Sequence, residues 1–245
     1  MTKIITGVAV TVVAITQLLL APAAVVAQCC GDCNGDGHVT VDEILRAVNR
    51  ALNGCQDDGV CQRFPATGQT TCWDTNGSVI ACSGTGQDGE IQAGGALAYV
   101  DNGDGTISDL NTRLMWEKKS RDGSIHDWSN RYQWAEAFSV FIAGLNSAKF
   151  AGHNDWRLPN VNELLSIVNY EIPSPTVSMM FNTNCVASCT VTTCSCTEAL
   201  DYWSSTTTMY QSFPTYAWTV YFFNGRAGSG SKTDTFYVRA VRGGL

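Results

Sequence analysis

The chain has 245 residues, 44% hydrophobic and 15% charged, and a formal net charge of −7. That length can bury a core as one ordinary domain with a small appendage. The acidic balance argues against nucleic acid or an anionic membrane as the principal partner.

Residues 1–27 read as a secretory signal. Lys3 supplies the positive start, Ile4 to Leu20 is largely apolar, Ala21-Pro22 breaks the run, and Val25-Val26-Ala27 offers small residues for cleavage. The apolar run is also about long enough to span a bilayer, so a retained anchor is the alternative. With cleavage after Ala27, no stable membrane insertion is expected, and the protein is secreted, periplasmic or held at the cell surface. All eleven cysteines follow this leader, at 29, 30, 33, 55, 61, 72, 82, 185, 189, 194 and 196. In an exported chain that usage means disulfides. The odd number leaves one thiol free, linked to another chain, or paired with a small thiol.

A calcium repeat is expected at 29–55. "GDCNGDGHVTVDE" (31–43) places Asp32, Asn34 and Asp36 at the first, third and fifth positions of a twelve-residue calcium loop. Gly37 sits at the sixth, His38 offers its backbone carbonyl at the seventh, Thr40 is at the ninth and Glu43 closes the loop. The alternative is an acidic, glycine-rich turn. A helix follows, with Val41, Ile44, Leu45, Val48 and Leu52 on one face and Gly54 as its stop. Residues 31–54 resemble one half of a type I dockerin, also built from calcium loops each followed by one helix. No second repeat follows, because "CQDDGVCQ" (55–62) does not fit the ligand spacing. The cofactor expected is calcium. The reading is of a calcium-stabilised appendage.

From residue 63 to 245 the pattern changes to short strands, Gly/Asn/Asp turns and two helices, an α+β domain. Asn76-Gly77 is a hairpin turn that brings Cys72 and Cys82 together. A second hairpin is expected around Asn102-Gly103-Asp104-Gly105. Its Asp101, Asn102, Asp104 and Asp109 are read as turn residues rather than as a second calcium site. Trp134, Ala137, Phe138, Phe141, Ile142 and Leu145 share one face of a helix over 134–146. Asn160 and Glu163 form a near capping box for a second helix, whose buried stripe is Val161, Leu164, Leu165 and Val168. In "CVASCTVTTCSC" (185–196) two disulfides are favoured over a four-thiolate zinc site. Strands are expected at 202–206, 217–228 and 236–242.

Seven stretches, "TGQTTCW", "DNGDGTISD", "RLMWEKK", "GHNDWRLPNVNEL", "YWSSTT", "AWTVYF" and "YVRAVRGG", resemble the Lcl C-terminal domain family over about residues 66–244. That family, long catalogued as a domain of unknown function, takes its name from a collagen-like bacterial surface adhesin that binds glycosaminoglycans. The "RLP" turn and the final "VRAVRGG" strand also resemble the C-type lectin-like fold shared with formylglycine-generating enzymes. The resemblance implies a C-type lectin-like domain and a non-catalytic adhesin or glycan-binding role. This chain lacks a collagen-like repeat, and its acidity suits neutral glycans better than sulfated ones.

Catalytic chemistry finds little support in the residues. Only His38, His126 and His153 are present, and neither a G-x-S-x-G nor an H-E-x-x-H motif occurs. "IHDW" and "GHNDW" read as local turns. Arg157, Arg239 and Arg242 are read as internal partners of the helix start and the terminal strand. Trp116, Trp156, Trp203 and Trp218 are assigned to the core, and Trp73 and Trp128 to the surface. The function expected is a secreted or surface calcium-binding protein that recognises an extracellular glycan or a surface protein ligand. The alternatives are a polysaccharide-processing enzyme or dockerin-bearing accessory protein, and a structural envelope protein.

Overall fold

A computed structural model of the protein describes residues 64–209 and 214–243, together with Val41, Ile44 and Val48. Those three are helical and exposed. The described chain combines short helices with a larger share of strand, an α+β arrangement.

The Asn76-Gly77 turn folds as expected. Asp74 Oδ1 accepts the N–H groups of Asn76 and Ser78, β1 (Cys72–Trp73) pairs antiparallel with β2 (Val79–Ile80), and Cys72 is bonded to Cys82. A one-turn helix, α1 (Asp88–Ile91), packs beside this hairpin. The second expected hairpin joins β3 (Tyr99–Asp101) to β4 (Thr106–Asp109). With β5 (Leu114–Glu117) and β11 (Val241–Gly243) they form an antiparallel sheet in the order β11-β5-β4-β3. Arg157 closes the free side of β11 with two backbone hydrogen bonds to Val241.

The second sheet runs β6-β10-β7-β8-β9, from β6 (Arg131–Gln133), β10 (Thr235–Tyr237), β7 (Asp201–Thr207), β8 (Tyr216–Tyr221) and β9 (Arg226–Ser231). Two expected strands are corrected here. The run 217–228 is a hairpin of β8 and β9, because Gly225 turns the chain at φ +75. A Cβ there would lie 2.6 Å from Val168 Cγ1, so only glycine fits. The run 236–242 is two strands in two sheets. Val238, Arg239 and Ala240 between them are buried as the chain passes from one sheet to the other.

Both expected helices are present. The first, α2, runs through Trp134–Glu136, a widened π-type stretch at Ala137–Ile142, and Ala143–Ser147. It buries Ala137, Phe141, Ile142 and Leu145 and leaves Trp134 and Phe138 half-buried. The second, α3 (Val161–Leu165), carries the Asn160–Glu163 capping box. The two helices serve opposite faces of the larger sheet. Leu164 clusters with Tyr202, Val220 and Phe222, and Phe141 and Leu145 cluster with Trp203 and Ala217. Strand alternation places those two residue sets on opposite faces.

Trp116, Trp156 and Trp203 are core residues as expected, but Trp218 is 38% exposed. It shares a face with Val220, and α3, with five residues, is too short to cover both. Trp73 and Trp128 are half-buried rather than exposed. No helix among the described residues is long and apolar enough to cross a membrane.

Candidate ligand-binding surface

The expected calcium ligands Asp32, Asn34, Asp36, His38, Thr40 and Glu43 lie outside the described residues. The acidic turn at 101–112 is absorbed by its own backbone. Asp104 accepts from the Thr106 N–H and hydroxyl. Asp109 accepts from Asn111, Thr112 and the Thr112 hydroxyl, and Asp101 holds Lys118 Nζ at 2.7 Å and the Gly103 N–H. Their lone pairs serve turn geometry, as the sequence implies.

In the 185–196 run, Cys185 is bonded to Cys196 and Cys189 to Cys194. The sulfurs of Cys189, Cys194 and Cys196 lie within 4.8 Å of one another because the two bridges are stacked in the core. All three are committed to disulfides, which leaves no thiolate for a metal. Cysteines 29, 30, 33, 55 and 61 lie outside the described residues.

The chain crossing between the sheets is held by a buried group of charges. Arg239, fully buried, donates to the Glu117 carbonyl at 2.8 Å, the Cys196 carbonyl at 2.7 Å and the Thr197 hydroxyl at 2.8 Å. It thereby ties β5 to the disulfide loop. The Glu117 carboxylate, also fully buried, takes Lys119 Nζ at 3.2 Å, His126 Nδ1 at 2.8 Å and the Ala240 N–H at 3.0 Å. Burial pushes the Glu117 carboxyl up, but Lys119, His126 and the Ala240 N–H outweigh it and hold the group below the usual carboxylate range. Burial pulls Lys119 down despite the carboxylate beside it. Trp116 Nε1 and Arg239 Nε have no acceptor among the described residues. Both side chains pack against Phe181. Glu117, Lys119 and Arg239 are buried and spend their charge on one another's neighbours within the fold, which suits a structural role.

The other basic residues near the terminal strand are also internal. Arg157 grips Glu163 with two bonds of 2.7 and 2.6 Å and donates to the Gly243 carbonyl. Arg242 pairs with Asp155 at 2.7 and 3.1 Å. These match the sequence expectation. A cleft of about 250 Å³ lies between Phe64–Thr67 and the Asn162–Tyr170 segment, and no carboxylate, histidine or cysteine lines it.

A different surface emerges on the larger sheet. Register places Asp201, Tyr221 and Arg226 directly opposite one another on β7, β8 and β9. Opposed residues share a face, so a carboxylate, a phenol ring and a guanidinium form one row. The next row on that face is Trp203, Thr219 and Gly228. The Arg226 guanidinium lies 5.3 Å over the Tyr221 ring, and its side chain makes no hydrogen bond or ion pair among the described residues. Asp201 Oδ1 accepts the Thr219 hydroxyl at 2.8 Å, which orients the carboxylate.

Gly228 leaves a shallow notch about one methyl group wide between them. A Cβ there would stand 3.2 Å from Thr219 Oγ1, 3.6 Å from Arg226 Nη1 and 3.8 Å from Asp201 Oδ1. Phe223, 54% exposed, continues the aromatic wall with its ring 5.7 Å from that of Tyr221. The turn that presents Phe223 is pinned from behind. Thr176 donates its N–H to the Phe222 carbonyl at 2.7 Å and its hydroxyl to the Phe223 carbonyl at 3.0 Å. Tyr170 donates its hydroxyl to the Gly225 carbonyl at 2.9 Å.

The Lcl C-terminal domain model matches residues 105–242, more than half of the chain. The chain belongs to the Lcl C-terminal domain family. No curated protein matches it. The Lcl region contains the buried charge group, the paired disulfides and the whole Asp201–Tyr221–Arg226 row, whereas the Cys72–Cys82 hairpin precedes it. Sequence reasoning missed that row because its members are spread over three strands and become neighbours only through register. The available signal was Asn224-Gly225, a turn dipeptide inside the run read as one strand.

Proposed function

We propose that this Lcl domain is a non-catalytic binding module for an extracellular glycan, with neutral sugars preferred. The observation that carries the reading is the notch at Gly228, where guanidinium donors and a carboxylate acceptor face one space beside an aromatic wall. A sugar hydroxyl both accepts and donates, so adjacent hydroxyls can accept a hydrogen bond from Arg226 and donate one to Asp201. The ring's C–H face then lies on Tyr221 or Phe223. Stacking on Tyr221 leaves the Arg226 donors free for this purpose.

The same reading holds the domain to be C-type lectin-like, exported behind the 1–27 leader, and preceded by a dockerin-like repeat at 29–55. That repeat binds one calcium through Asp32, Asn34, Asp36, the His38 carbonyl, Thr40 and Glu43, as its donor set of oxygens implies. Export is supported by the three disulfides among the described residues.

The test is a screen of the mature protein against immobilised neutral and sulfated glycans, with soluble product followed in parallel. Retention of neutral glycans without product release is expected. Cleavage of any glycan would hand the protein to the polysaccharide-processing alternative, and silence across a broad panel would favour a protein ligand or a structural role.

A further inference from the structure

The two larger sheets end in four edges of unequal length. β3, β6 and β11 have three residues each, and β11 is closed by Arg157. β9 has six, Arg226–Ser231, in the sequence RAGSGS. It contains no lysine, proline or bulge of the kind that usually blunts an edge. Among the described residues, the backbone of 227–230 hydrogen-bonds to β8 alone. Arg226, Ala227 and Ser229 are exposed.

From this edge we infer that two copies of the chain pair antiparallel through β9, with the two-fold axis at Gly228, and that the pairing joins two sugar notches into one site. The inference rests on the binding role proposed above only for its second half. Symmetry dictates the arrangement. An antiparallel pair of identical strands has its two-fold axis perpendicular to the sheet, so both notches emerge on the same side. About Gly228, Arg226 lies opposite the partner's Gly230, and Ala227 lies opposite the partner's Ser229. No like charges meet, and every facing residue except Arg226 is small. A register centred on Ser229 would set Arg226 against the partner's Lys232, and opposed like charges disfavour it. Arg226 is the only charged side chain on β9. Repulsion between the two acidic bodies acts mainly beyond the seam, where salt screens it over about 8 Å.

The consequence is an extended site. Of the row Trp203–Thr219–Gly228 only Gly228 reaches the surface, since Trp203 and Thr219 are buried, and Gly228 meets its own copy across the axis. The Asp201–Tyr221–Arg226 rows then flank the seam on either side. One copy holds half of this surface. A single sugar contacts one notch, and an oligosaccharide can engage both, which raises its apparent affinity through effective concentration rather than new chemistry.

Sedimentation velocity on the mature chain is expected to show a dimer at high micromolar concentration. The double variant Ala227→Lys/Ser229→Lys sets lysines against each other across the seam and should sediment as a monomer with an unchanged circular dichroism spectrum. For any oligosaccharide retained in the glycan screen, its apparent affinity should fall about tenfold or more, with monosaccharide affinity unaltered. Register is checked by oxidising Ala227→Cys and Ser229→Cys variants. A mixture of the two should cross-link beyond the level of either alone, over any background from the odd native thiol. A monomeric wild-type chain, a dimer indifferent to the double lysine variant, or cross-linking by Ala227→Cys alone equal to that of the mixture would overturn the inference. A dimer of this register that retains no glycan would sink the glycan reading while leaving the pairing intact.

Discussion

Two arginines of the same domain show how differently one side chain can be used. Arg239 is fully buried, and its donors are spent on two carbonyls and a hydroxyl. Arg226 stands exposed on β9, stacked on Tyr221, with no hydrogen bond or ion pair from its side chain among the described residues. The first has given its hydrogen-bonding capacity to the fold, and the second has kept it. Removing Arg239 should therefore be felt as lost stability, and removing Arg226 as lost recognition. The predictions that follow test whether that division holds.

The largest effect belongs to the buried charges. Glu117→Gln leaves the buried Lys119 without its carboxylate and takes the carboxylate from His126, and breaking such a buried pair costs about 3–5 kcal/mol. Thermal unfolding should show a large fall in midpoint. A shift as small as that of a surface substitution would mean that the group is not a structural hub.

The disulfide loop that Arg239 grips comes next. Replacing Cys185 and Cys196 by serine opens a loop with a sequence separation of 11, for which chain entropy alone gives about 3 kcal/mol. Opening Cys189–Cys194, with a separation of 5, should cost less, about 2 kcal/mol. Chemical denaturation ranks the two variants, and the reverse order would show that the shorter bridge holds more than its own loop.

Acid should act on the same interior. Glu117, Asp101 and Asp127 are each raised by burial but held below the carboxylate range overall, by Lys119, Lys118, and the hydroxyl and N–H groups around Asp127 respectively. A depressed folded-state value contributes stability that is complete above the unfolded carboxylate range. It is lost as pH falls through the folded value. Midpoints measured against pH should stay level from neutrality to about pH 5 and decline below about pH 4. In Glu117→Gln the decline should be shallower. Stability that rose on acidification would reverse the sign of the account.

The smallest effect is expected from the N-terminal loop. Under the calcium-repeat reading proposed above, three carboxylates in an exported module give binding on the order of 10⁻⁴–10⁻³ M. Calorimetry on the mature chain and on Asp36→Ala should differ by one site. Equal binding by both, or none by the parent at millimolar calcium, would reject the ligand assignment.

What was legible in the sequence follows from the range of the interactions concerned. Local chemistry was readable. The Asn76-Gly77 turn announced the Cys72–Cys82 bridge, the Asn160–Glu163 box announced α3, and apolar spacing announced the buried face of α2. Arg157 was readable as internal because Glu163 stands close by in sequence, whereas Arg242 meets Asp155 only through the fold. Longer-range geometry was not. The run 236–242 has uniform strand character, and nothing within it marks the passage between sheets. That passage depends on Arg239 meeting Glu117 and Cys196, far away in the chain. Trp218 looked like core because its strand is apolar, yet it stands 38% exposed beyond the cover that α3 gives Val220. The Asp201–Tyr221–Arg226 row needed cross-strand register, which periodicity alone does not supply.

The measurement that bears most directly on the central claim compares Arg226→Ala with the parent on the best neutral glycan from the screen, with thermal midpoints recorded on both. The account predicts an unfolding midpoint within the range of an ordinary surface change, about 0.5 kcal/mol, and a loss of binding of about tenfold or more, since hydrogen bonds to a charged group contribute about 1.5–3 kcal/mol. An Arg226→Ala protein that binds as well as the parent would contradict it. So would one whose binding falls only in step with its stability.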